Sequence, residues 1–592
     1  MAGLYPFGMK HFFSLMRGWL VALFVLLGLA GPAARAQAPA WQTAVAAQNT
    51  NSGVITGYSY VYGMAADATD NVYITGEYQG SVAFGSTTLT TTSFGFDVFV
   101  AKWSNSSQRF VWAMSMGGTD TDNSGGIAVS GNNVYVTGSF VGATASFGPL
   151  TLTNSSSSFD GFVAKLTDAG TSASFTWVRQ LGGTGSDLSY GIAARGTSVY
   201  AVGFYGSAVA SFGTIALANS SSAVDGFVTK LTDTGTSATF TWAQSIGGAS
   251  DEQVRKVAVS GNEVVVAGIF SSSALRVGTI ALPLASAGSY DVFVAKFIDA
   301  GASPGLAWAQ KAGGSALESV TGVAIAGSSV YITGAFTGPA ATFGTTTLVA
   351  RPPSGSSYFD GYVAKLIDTG TTTDFAWAQA IGGPGADSAT GLAVQGTSLF
   401  VAGYSASQAV SIGNTPLFNS GNTHNLFIAK LTDAANTGSL AWVRTAHGPN
   451  AGNITSLALQ GSTVVVAGSA TPLFSFGGIT ITGSNNSGAA FLASLTDPTL
   501  TATTAAKGAL SFSLAPNPAR ATTTVQLPAG LGASTAALTL RDALGRTLRT
   551  STVALPAAGL RHALDLRGLA PGVYAVQVRA GSTSGTQRLV VE

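Results

Sequence analysis

One acidic residue recurs in five copies of a repeated sequence, and carboxylates with this spacing could bind a cation. It stands shortly before a small apolar stretch, at positions Asp122, Asp187, Glu252, Glu318 and Asp387. Hard cations bind several carboxylate oxygens at once, so a ring of these side chains around one mouth of a channel would be a ligand site. The alternative is that each carboxylate accepts backbone N–H groups in its own turn. The near-identity of the copies favours that alternative.

The second copy carries a richer polar cluster than the others. Asp120, Asp122 and Asn123 lie within four residues and supply three oxygen-bearing side chains. Oxygen ligands of this kind are those that Ca²⁺ prefers. If the chain binds a metal, the sequence predicts that Ca²⁺ binds at these three residues. The sequence indicates no other cofactor.

Arrangements for covalent or zinc chemistry are weak in this sequence. The string Gly301-Ala-Ser-Pro-Gly305 matches a serine-hydrolase motif, but it lies between two predicted strands and not on the required strand-to-helix turn. The mature chain has His424, His447 and His562, which lack metal-ligand spacing, and it has no cysteine. We predict no catalytic residue, although carboxylate pairs from distant repeats could still cleave glycosides.

These residues belong to a repeat that three markers count independently. A glycine ends a Val-Tyr-Val-Thr-Gly-like strand at intervals of 62 to 69 residues, at Gly76, Gly138, Gly203, Gly268, Gly334, Gly403 and Gly468. A tryptophan recurs at Trp41, Trp112, Trp177, Trp242, Trp308, Trp377 and Trp442. An aspartate opens another strand at Asp97, Asp160, Asp225, Asp291 and Asp360, and Asn425 and Ala489 replace it in the last two copies. A period of this length built from short strands indicates a blade-type repeat.

Four strands per repeat predict an all-β fold, a seven-bladed β-propeller. The array begins with a lone tryptophan strand, Trp41–Val45, and ends with a third strand, Phe491–Leu495, that has no tryptophan strand after it. Pairing the two would complete the last blade and remove open sheet edges. We interpret the Asp97 series and its lysine partners as structural, and the tryptophans as apolar fillers between blades. Those lysines are Lys102, Lys165, Lys230, Lys296, Lys365 and Lys430.

Composition and charge limit the compartment and the partners. Residues 1–36 have basic side chains, an apolar core and an Ala34-Arg-Ala36 cleavage site, which predict a signal peptide and no transmembrane helix in the mature form. The repeat region has a net charge of −7 and the region from Gly508 onward a net charge of +5. A mildly acidic repeat region is unsuited to nucleic acid, so we expect no nucleic-acid partner.

The C-terminal region has short alternating strands separated by turns, which predict a small β-sandwich of the Ig-like kind. Its residues closely resemble the type A C-terminal sorting domain of type IX secretion substrates, over residues 511–592. The residues that carry the resemblance are Pro516, Asn517, Pro518, Asp542, Gly545, Gly572, Tyr574 and Arg588. The resemblance implies Sec export, passage across the outer membrane of a Gram-negative bacterium by the type IX secretion machinery, and cleavage. The passenger is then released or attached to surface lipopolysaccharide.

The repeats, in turn, resemble the bacterial β-propeller repeat family, which implies a fold but no single activity. The predicted organisation is a signal peptide (1–36), a propeller (37–496), a linker (497–510) and the sorting domain (511–592). We expect a non-catalytic binding or adhesion protein for an extracellular glycan or protein. An extracellular polysaccharide hydrolase or lyase is the alternative. An enzyme should break the repeat symmetry with unusual residues in one or two blades, and the likeness of the copies favours binding.

Overall fold

The computed structural model describes residues 38–51, 55–91, 93–154, 156–351, 358–419, 425–450, 452–483, 487–500, 512–528, 534–542, 546–556, 559–580 and 583–592. The predicted signal peptide lies outside these residues. Contacts divide the chain into two compact units, Met1–Asp497 and Pro498–Glu592. Every regular element in the described part is a β-strand, and the paired strands are antiparallel. The prediction of an all-β chain is therefore confirmed.

The first compact unit contains seven groups of four consecutively paired strands, which we call repeat units 1 to 7. Three groups are separate four-stranded sheets, and four are extended to six strands by a following hairpin. Their first strands are Tyr58–Ala66, Asn123–Ser130, Asp187–Arg195, Glu252–Ser260, Glu318–Ala326, Asp387–Gln395 and Gly452–Gln460. Their second strands are Asn71–Gln79, Asn133–Phe140, Ser198–Tyr205, Glu263–Phe270, Ser329–Phe336, Ser398–Ser405 and Thr463–Ala470. The second strand lies between the first and the third strand in every unit.

The outer half of each repeat unit holds the aspartate and tryptophan markers. The third strands are Asp97–Ser104, Asp160–Asp168, Asp225–Asp233, Asp291–Asp299, Asp360–Asp368, Asn425–Asp433 and Ala489–Thr496. The fourth strands of units 1 to 6 are Arg109–Met116, Ala173–Leu181, Ala238–Gly247, Pro304–Gly314, Thr373–Gly382 and Gly438–His447. Second and third strands are almost fully buried, which explains their continuous apolar runs.

The recurring glycine near the end of the second strand is required by close backbone approach. A Cβ added at Gly76 would lie 1.8 Å from the carbonyl oxygen of Tyr60, and one at Gly203 would lie 1.9 Å from that of Leu188. Any larger residue would push the first strand away from the second. The glycine marker in the sequence therefore reports how tightly these two strands are joined.

The fourth strand of unit 7 comes from the start of the chain. Trp41–Ala46 pairs antiparallel with Ala489–Thr496, with Trp41 opposite Leu495 and Ala46 opposite Phe491. The predicted pairing of Trp41–Val45 with Phe491–Leu495 is confirmed. The first strands of consecutive units contact one another, and the first strand of unit 7 contacts that of unit 1. Both observations join the two ends of the repeat region.

A short hairpin between the second and third strands links each unit to the one before it. The hairpins are Ser81–Phe84 with Thr87–Thr90, Thr144–Phe147 with Leu150–Thr153, Val209–Phe212 with Ile215–Ala218, Ala274–Val277 with Ile280–Pro283, Ala340–Phe343 with Thr346–Val349, Ala409–Ile412 with Thr415–Asn419, and Ser475–Phe476 with Ile479–Thr480. In units 2 to 7 the hairpin pairs with the end of the preceding fourth strand. The hairpin of unit 1 pairs with Gln48–Thr50, directly after the closing strand. Pairing therefore continues across every junction between units.

The lysines of the third strands form buried ion pairs between units. Lys102 of unit 1 contacts Asp168 of unit 2 at 2.6 Å, and Asp168 also accepts hydrogen bonds from Tyr73 and Trp112. Five more lysines pair in the same way with the unit that follows: Lys165 with Asp233, Lys230 with Asp299, Lys296 with Asp368, Lys365 with Asp433 and Lys430 with Asp497. Pairing of these lysines with the Asp97 series is therefore wrong, although their structural role stands.

The junction between units 7 and 1 has a different composition. Ser494 occupies the lysine position and bonds to Thr43 at 2.7 Å, and Asn105 occupies the aspartate position and bonds to Gln460. Trp41 donates instead to the backbone oxygen of Thr445 at 3.2 Å. The bond between Asn105 and Gln460 spans units 7 and 1, whereas the Ser494 bond lies within unit 7 and the Trp41 bond joins units 7 and 6. This junction therefore has a neutral hydrogen bond where the other six have an ion pair.

The C-terminal unit consists of two antiparallel sheets around one apolar core. One sheet contains Ser513–Ala515, Thr522–Leu527 and Leu560–Asp565, and the other contains Thr535–Arg541, Thr547–Ala554, Gly572–Ala580 and Thr583–Val591. Leu514, Val525 and Leu564 from the first sheet share a buried cluster with Leu538 and Val576 from the second. The apolar residues alternate along these strands, as expected for sheets buried on one face.

Closure of the repeat region by its N-terminal segment generates a stability prediction. Ala47 is fully buried, and its N–H donates to Ala490 at 2.8 Å. We expect Ala47→Asp to lower the free energy of unfolding by about 3 kcal/mol or more, because it buries an uncompensated charge at the junction. The neighbouring exposed Gln48→Asp is the matched control. Thermal melts and light scattering should show a lower Tm and self-association for Ala47→Asp alone; equal behaviour of both variants would argue against closure.

Candidate functional site

A cavity of about 460 Å³ lies where the first strands of all seven units converge. Its walls include Tyr62 and Glu77 from unit 1, Tyr190 from unit 3, and Arg255 and Lys256 from unit 4. The remaining lining is small or hydroxyl-bearing, namely Asn123, Ser124, Gly125, Leu188, Val320, Thr321, Thr390 and Thr455. Cavities with a few convergent polar groups are the usual place for a ligand. We call this the central cavity.

A β-bulge in each first strand positions the residue that faces the central cavity. The register shifts by one residue between the first and second strands of every unit. A bulge re-aims one side chain away from the regular pleat. The residues at these positions, in unit order, are Tyr62, Gly125, Tyr190, Arg255, Thr321, Thr390 and Thr455. Units 5 to 7 therefore agree with one another, and units 1 to 4 depart from them.

The threonines of units 5 to 7 use their hydroxyls for backbone contacts. Thr321 donates to the carbonyl oxygen of Ala389 at 2.6 Å, and Thr390 donates to that of Ile454. Thr455 donates to Ala467 at 3.4 Å. The first two bonds join neighbouring units, so threonine at this position contributes to the packing of the first strands.

Unit 1 brings an acid and a phenol to the central cavity. Glu77 accepts hydrogen bonds from the Ser124 backbone N–H at 2.9 Å and from Tyr62. Burial raises the pKa of Glu77 to about 7, and these two hydrogen bonds oppose the shift. Burial, together with the charge of Glu77, raises the pKa of Tyr62 to about 12. A carboxyl group that titrates near neutrality beside a cavity is suited to binding or proton transfer.

Unit 4 brings two adjacent cations to the cavity. The Arg255 guanidinium lies 5.7 Å from the centre of the Tyr190 ring, and its Nη2 donates to Gln253 at 2.9 Å. Lys256 stands where the other units have Gly63, Gly126, Gly191, Gly322, Gly391 and Ser456. Burial and the charge of Arg255 both lower the pKa of Lys256. A long basic side chain has therefore replaced a small residue at a position facing the cavity.

The acidic residues singled out in the sequence lie between the units and not around an open mouth. Asp122, Asp187, Glu252, Glu318 and Asp387 have at most 2% exposure, and the last four are the first residues of their strands. Asp122 accepts the Gly118 N–H at 2.6 Å, and Asp187 accepts the Gly183 N–H at 2.6 Å. The structure therefore supports the alternative that these carboxylates satisfy backbone groups, and the ring of exposed carboxylates is wrong.

Each of these acids also faces the aspartate that opens the third strand of the preceding unit. A Cβ added at Gly117 would lie 2.6 Å from a carboxylate oxygen of Asp97 and 2.5 Å from one of Asp122. The two carboxyl groups are therefore close together. Burial raises the pKa of Asp97 and Asp122 to about 7, and the charge of Asp97 contributes to the shift at Asp122. Within the described residues, one oxygen of each has no hydrogen-bond partner. The pair of Asp97 and Asp122 is therefore partly protonated near neutral pH.

The predicted Ca²⁺ ligands occupy three different environments. Asp120 is exposed, Asp122 is buried between units 1 and 2, and Asn123 lines the central cavity. In the part of the chain that the structure describes, no three or more His, Cys, Asp and Glu side chains are grouped closely enough to hold a metal. The Ca²⁺ site stays a prediction.

The predicted sorting residues lie at one end of the C-terminal unit and on its last two strands. Asn517, between two cis prolines at Pro516 and Pro518, accepts the Val590 N–H at 2.9 Å through its side chain. Asp542 accepts the Arg546 backbone N–H at 2.9 Å and its side chain at 2.7 Å, which closes a turn. Gly545 lies outside the described residues. Gly572 pairs with Val591, the Tyr574 hydroxyl donates to Ala570 at 2.7 Å, and Arg588 pairs with Ala575.

The bulge residues are the functional candidates that the sequence reasoning missed. They stand three positions after the acidic series, so that Tyr190 follows Asp187 and Arg255 follows Glu252. Aligning the repeats on the acids would have exposed this column as the variable one. Recurring residues mark the repeat, whereas a position that differs between the copies leaves no such mark.

Comparison with known proteins identifies the C-terminal unit. Residues 513–592 match the family model described as a secretion system C-terminal sorting domain. This confirms the predicted resemblance: the chain carries a type IX sorting tail, which type IX secretion machinery handles, and is a secreted or cell-surface protein. None of the curated proteins compared with the chain matches it.

Among solved structures, one match is a quinohemoprotein alcohol dehydrogenase from Comamonas testosteroni. It is 11% identical over 77% of this chain and 76% of that chain, with a TM-score of 0.36. A similarity this low carries no argument about activity. No helix among the described residues is long and apolar enough to span a membrane.

The carboxyl pairs generate a prediction about pH. Burial raises the pKa of Glu318 to about 8 from its usual 4.5, and the charge of Asp291 adds to the shift. Because the folded state keeps this proton longer than the unfolded state, the group's contribution to stability falls as pH rises from about 4.5 to 8. Glu318→Gln should remove this loss and stabilise the protein by on the order of 4 kcal/mol at pH 9.

Thermal or denaturant unfolding from pH 5 to 9 measures this effect, and the exposed Asp374→Asn is the control. The parent should lose stability across this range relative to Glu318→Gln, while Asp374→Asn follows the parent. If the difference in stability between Glu318→Gln and the parent does not change from pH 5 to 9, the pKa of Glu318 is not raised in the folded state and the pair does not hold a proton.

The Asn517 contact generates a prediction about the sorting tail. Asn517→Ala should detach the proline segment from the last strand and cost about 1 kcal/mol, because it removes a hydrogen bond. We expect faster proteolysis of the C-terminal unit and a lower yield of protein at the surface or in the medium of a host with the type IX machinery. Arg520→Ala, at an exposed side chain, should change neither. Full export of Asn517→Ala would show that the contact is dispensable.

Proposed function

We propose that the chain is a secreted or cell-surface seven-bladed β-propeller that binds an extracellular glycan or protein without catalysis. Residues 37–496 form the propeller in this proposal, 497–510 the linker and 511–592 an Ig-like β-sandwich sorting domain. The blade count is supported by the seven four-stranded repeat units, the cyclic contacts of their first strands and the exchanged fourth strand. The two sheets around one core support the sandwich.

The observation that carries the binding function is the kind of side chain by which the repeats differ at the central cavity. The copies are not alike there, contrary to the expectation from the sequence, but the differing side chains are aromatic and basic and do not form the carboxyl pair of a glycosidase, which favours binding. The bulge position holds threonine in three consecutive units, but Tyr62, Tyr190 and Arg255 in units 1, 3 and 4. Packing alone is satisfied by threonine, as Thr321 and Thr390 show by bonding to the next unit. Aromatic and arginine side chains facing a cavity are the residues that dominate binding energies. The proposed ligand group therefore enters the central cavity.

In this proposal the sorting tail directs the export of the protein. After removal of residues 1–36 in the periplasm, the type IX machinery recognises the C-terminal domain and cleaves it, and the passenger is released or attached to surface lipopolysaccharide. The sparsely charged segment before Ser511 offers small residues for cleavage.

Glu77 favours a second candidate function, an extracellular polysaccharide-acting enzyme. Its pKa of about 7 and its hydrogen bond from Tyr62 place a group that can move a proton beside the cavity. In the described residues it is the one carboxylate among those that line this cavity. A lyase that removes a proton with one base fits this arrangement better than a glycosidase, which needs a carboxyl pair.

A glycan array with the purified exported protein tests the proposed function. The matched variant is Tyr190→Thr combined with Arg255→Thr, which gives units 3 and 4 the bulge residue of units 5 to 7. We expect the parent to bind and this variant to fold with an unchanged Tm but to lose binding by at least roughly tenfold. Product analysis on each bound glycan, with Glu77→Gln as control, separates binding from turnover. Equal binding by parent and variant would overturn the proposal.

A further inference from the structure

The inference concerns the charge of the ligand and rests on the proposed binding function. Six buried lysines of the repeat units have an aspartate within 2.5 to 2.7 Å. Arg255 and Lys256 are different: among the described residues, neither has a carboxylate within ion-pair distance. Both are only partly exposed, and they are adjacent in sequence. Two partly buried like charges without a counter-charge are unfavourable.

Both cations line the central cavity, and Arg255 has a hydrogen-bonding group that is not used within the protein. The buried Nε of Arg255 has no hydrogen-bond partner among the described residues, whereas Nη2 is held by Gln253. Tyr190 supports the guanidinium from one side. Arginine held in this way has a fixed donor direction, so it suits a planar or tetrahedral anionic group. An anion between Arg255 and Lys256 would supply the missing counter-charge.

The other walls define the rest of the ligand. Tyr62 is 43% exposed at the cavity and offers an aromatic ring to an apolar ring face. Ser124 and Asn123 provide small polar groups, and Glu77 lies on unit 1, three units away from Arg255 around the ring. A cavity of about 460 Å³ holds a small number of sugar rings.

We propose that the central cavity binds an acidic saccharide, a sugar ring that carries a carboxylate or a sulfate group. Arg255 and Lys256 bind the anionic group, and Tyr62 contacts the ring. Lys256 contributes to selectivity in this arrangement, because the other units have glycine or serine at its position. Neutral glycans lack the group that these two cations require, so they bind weakly.

The experiment measures Kd by calorimetry for three probes with the full exported protein. The probes are a trigalacturonate, its fully methyl-esterified form, and a sulfated carrageenan disaccharide, which has no carboxylate. The first two differ in charge and in the small methyl groups of the ester, and the first and third separate carboxylate from sulfate as the source of the anion. We expect trigalacturonate or the sulfated probe to bind at least roughly thirtyfold more tightly than the methyl ester. Raising the salt concentration should weaken that binding.

Arg255→Thr with Lys256→Ser introduces the residues found at Thr455 and Ser456 of unit 7 and is the matched variant. It should lose the preference for charged probes, and its unliganded Tm should equal or exceed that of the parent, because a repulsion has been removed. Lys102→Ser, which removes a paired lysine, should instead lower the Tm. A lower Tm for Arg255→Thr with Lys256→Ser would contradict the proposal, since the two cations would then be structural.

The result separates this inference from the function on which it rests. The parent could bind the methyl ester or neutral glycans on the array tightly, and the variant Tyr190→Thr combined with Arg255→Thr could lose that binding. This outcome would support the binding function and overturn the proposal of an acidic ligand. Failure of every probe and every arrayed glycan to bind would overturn both.

Discussion

The buried lysine–aspartate contact between consecutive repeat units is the interaction on which the rest of the repeat region depends. Lys165 contacts Asp233 of the next unit at 2.6 Å, and the same carboxylate accepts hydrogen bonds from Tyr135 and Trp177. A buried ion pair costs desolvation free energy, which only complete hydrogen bonding offsets. Because one aspartate gathers three side chains from the preceding unit, only one relative placement of the two sheets satisfies it. The contact therefore sets the geometry between units more than it adds stability.

This arrangement separates the parts of each unit that must repeat from the part that can vary. Neighbouring sheets are fixed by the third-strand lysine, the fourth-strand tryptophan and the aspartate at the end of the third strand. Carboxyl pairs such as Asp291 and Glu318 lie near the other end, where the third strand begins. The first strands are then held in place mainly by these outer contacts, and a bulge threonine adds one hydrogen bond, such as that of Thr321 to Ala389 of the next unit. Tyr190 and Arg255 at this position leave the lysine–aspartate contacts between units intact.

The sequence predicted the elements well and the contacts between units less well. The glycine and tryptophan markers and the lone first and last strands reflect constraints of the backbone. Gly76 and Trp41 therefore lie at the positions in the sheets that the sequence patterns predicted. The partner of Lys102 was misassigned because Asp97 is only five residues away. Residues five apart on a strand point to opposite faces and are separated by roughly 17 Å. The true partner, Asp168, lies in the next unit. The bulge column was missed because hydrophobic patterns assume an unbroken pleat.

The junction that differs from the other six is also the one that joins the two ends of the repeat region. Trp41–Ala46 pairs with Ala489–Thr496, so this junction can form only after nearly the whole repeat region has been made, and it closes the longest loop in the chain. The N-terminal strand makes the backbone hydrogen bonds that complete the sheet of unit 7. Ser494 and Asn105 stand at the positions that hold lysine and aspartate at the other junctions. Neutral partners leave no charge buried and unpaired while the two ends are still apart. An open chain thus exposes a strand edge but no unpaired buried ion at this junction.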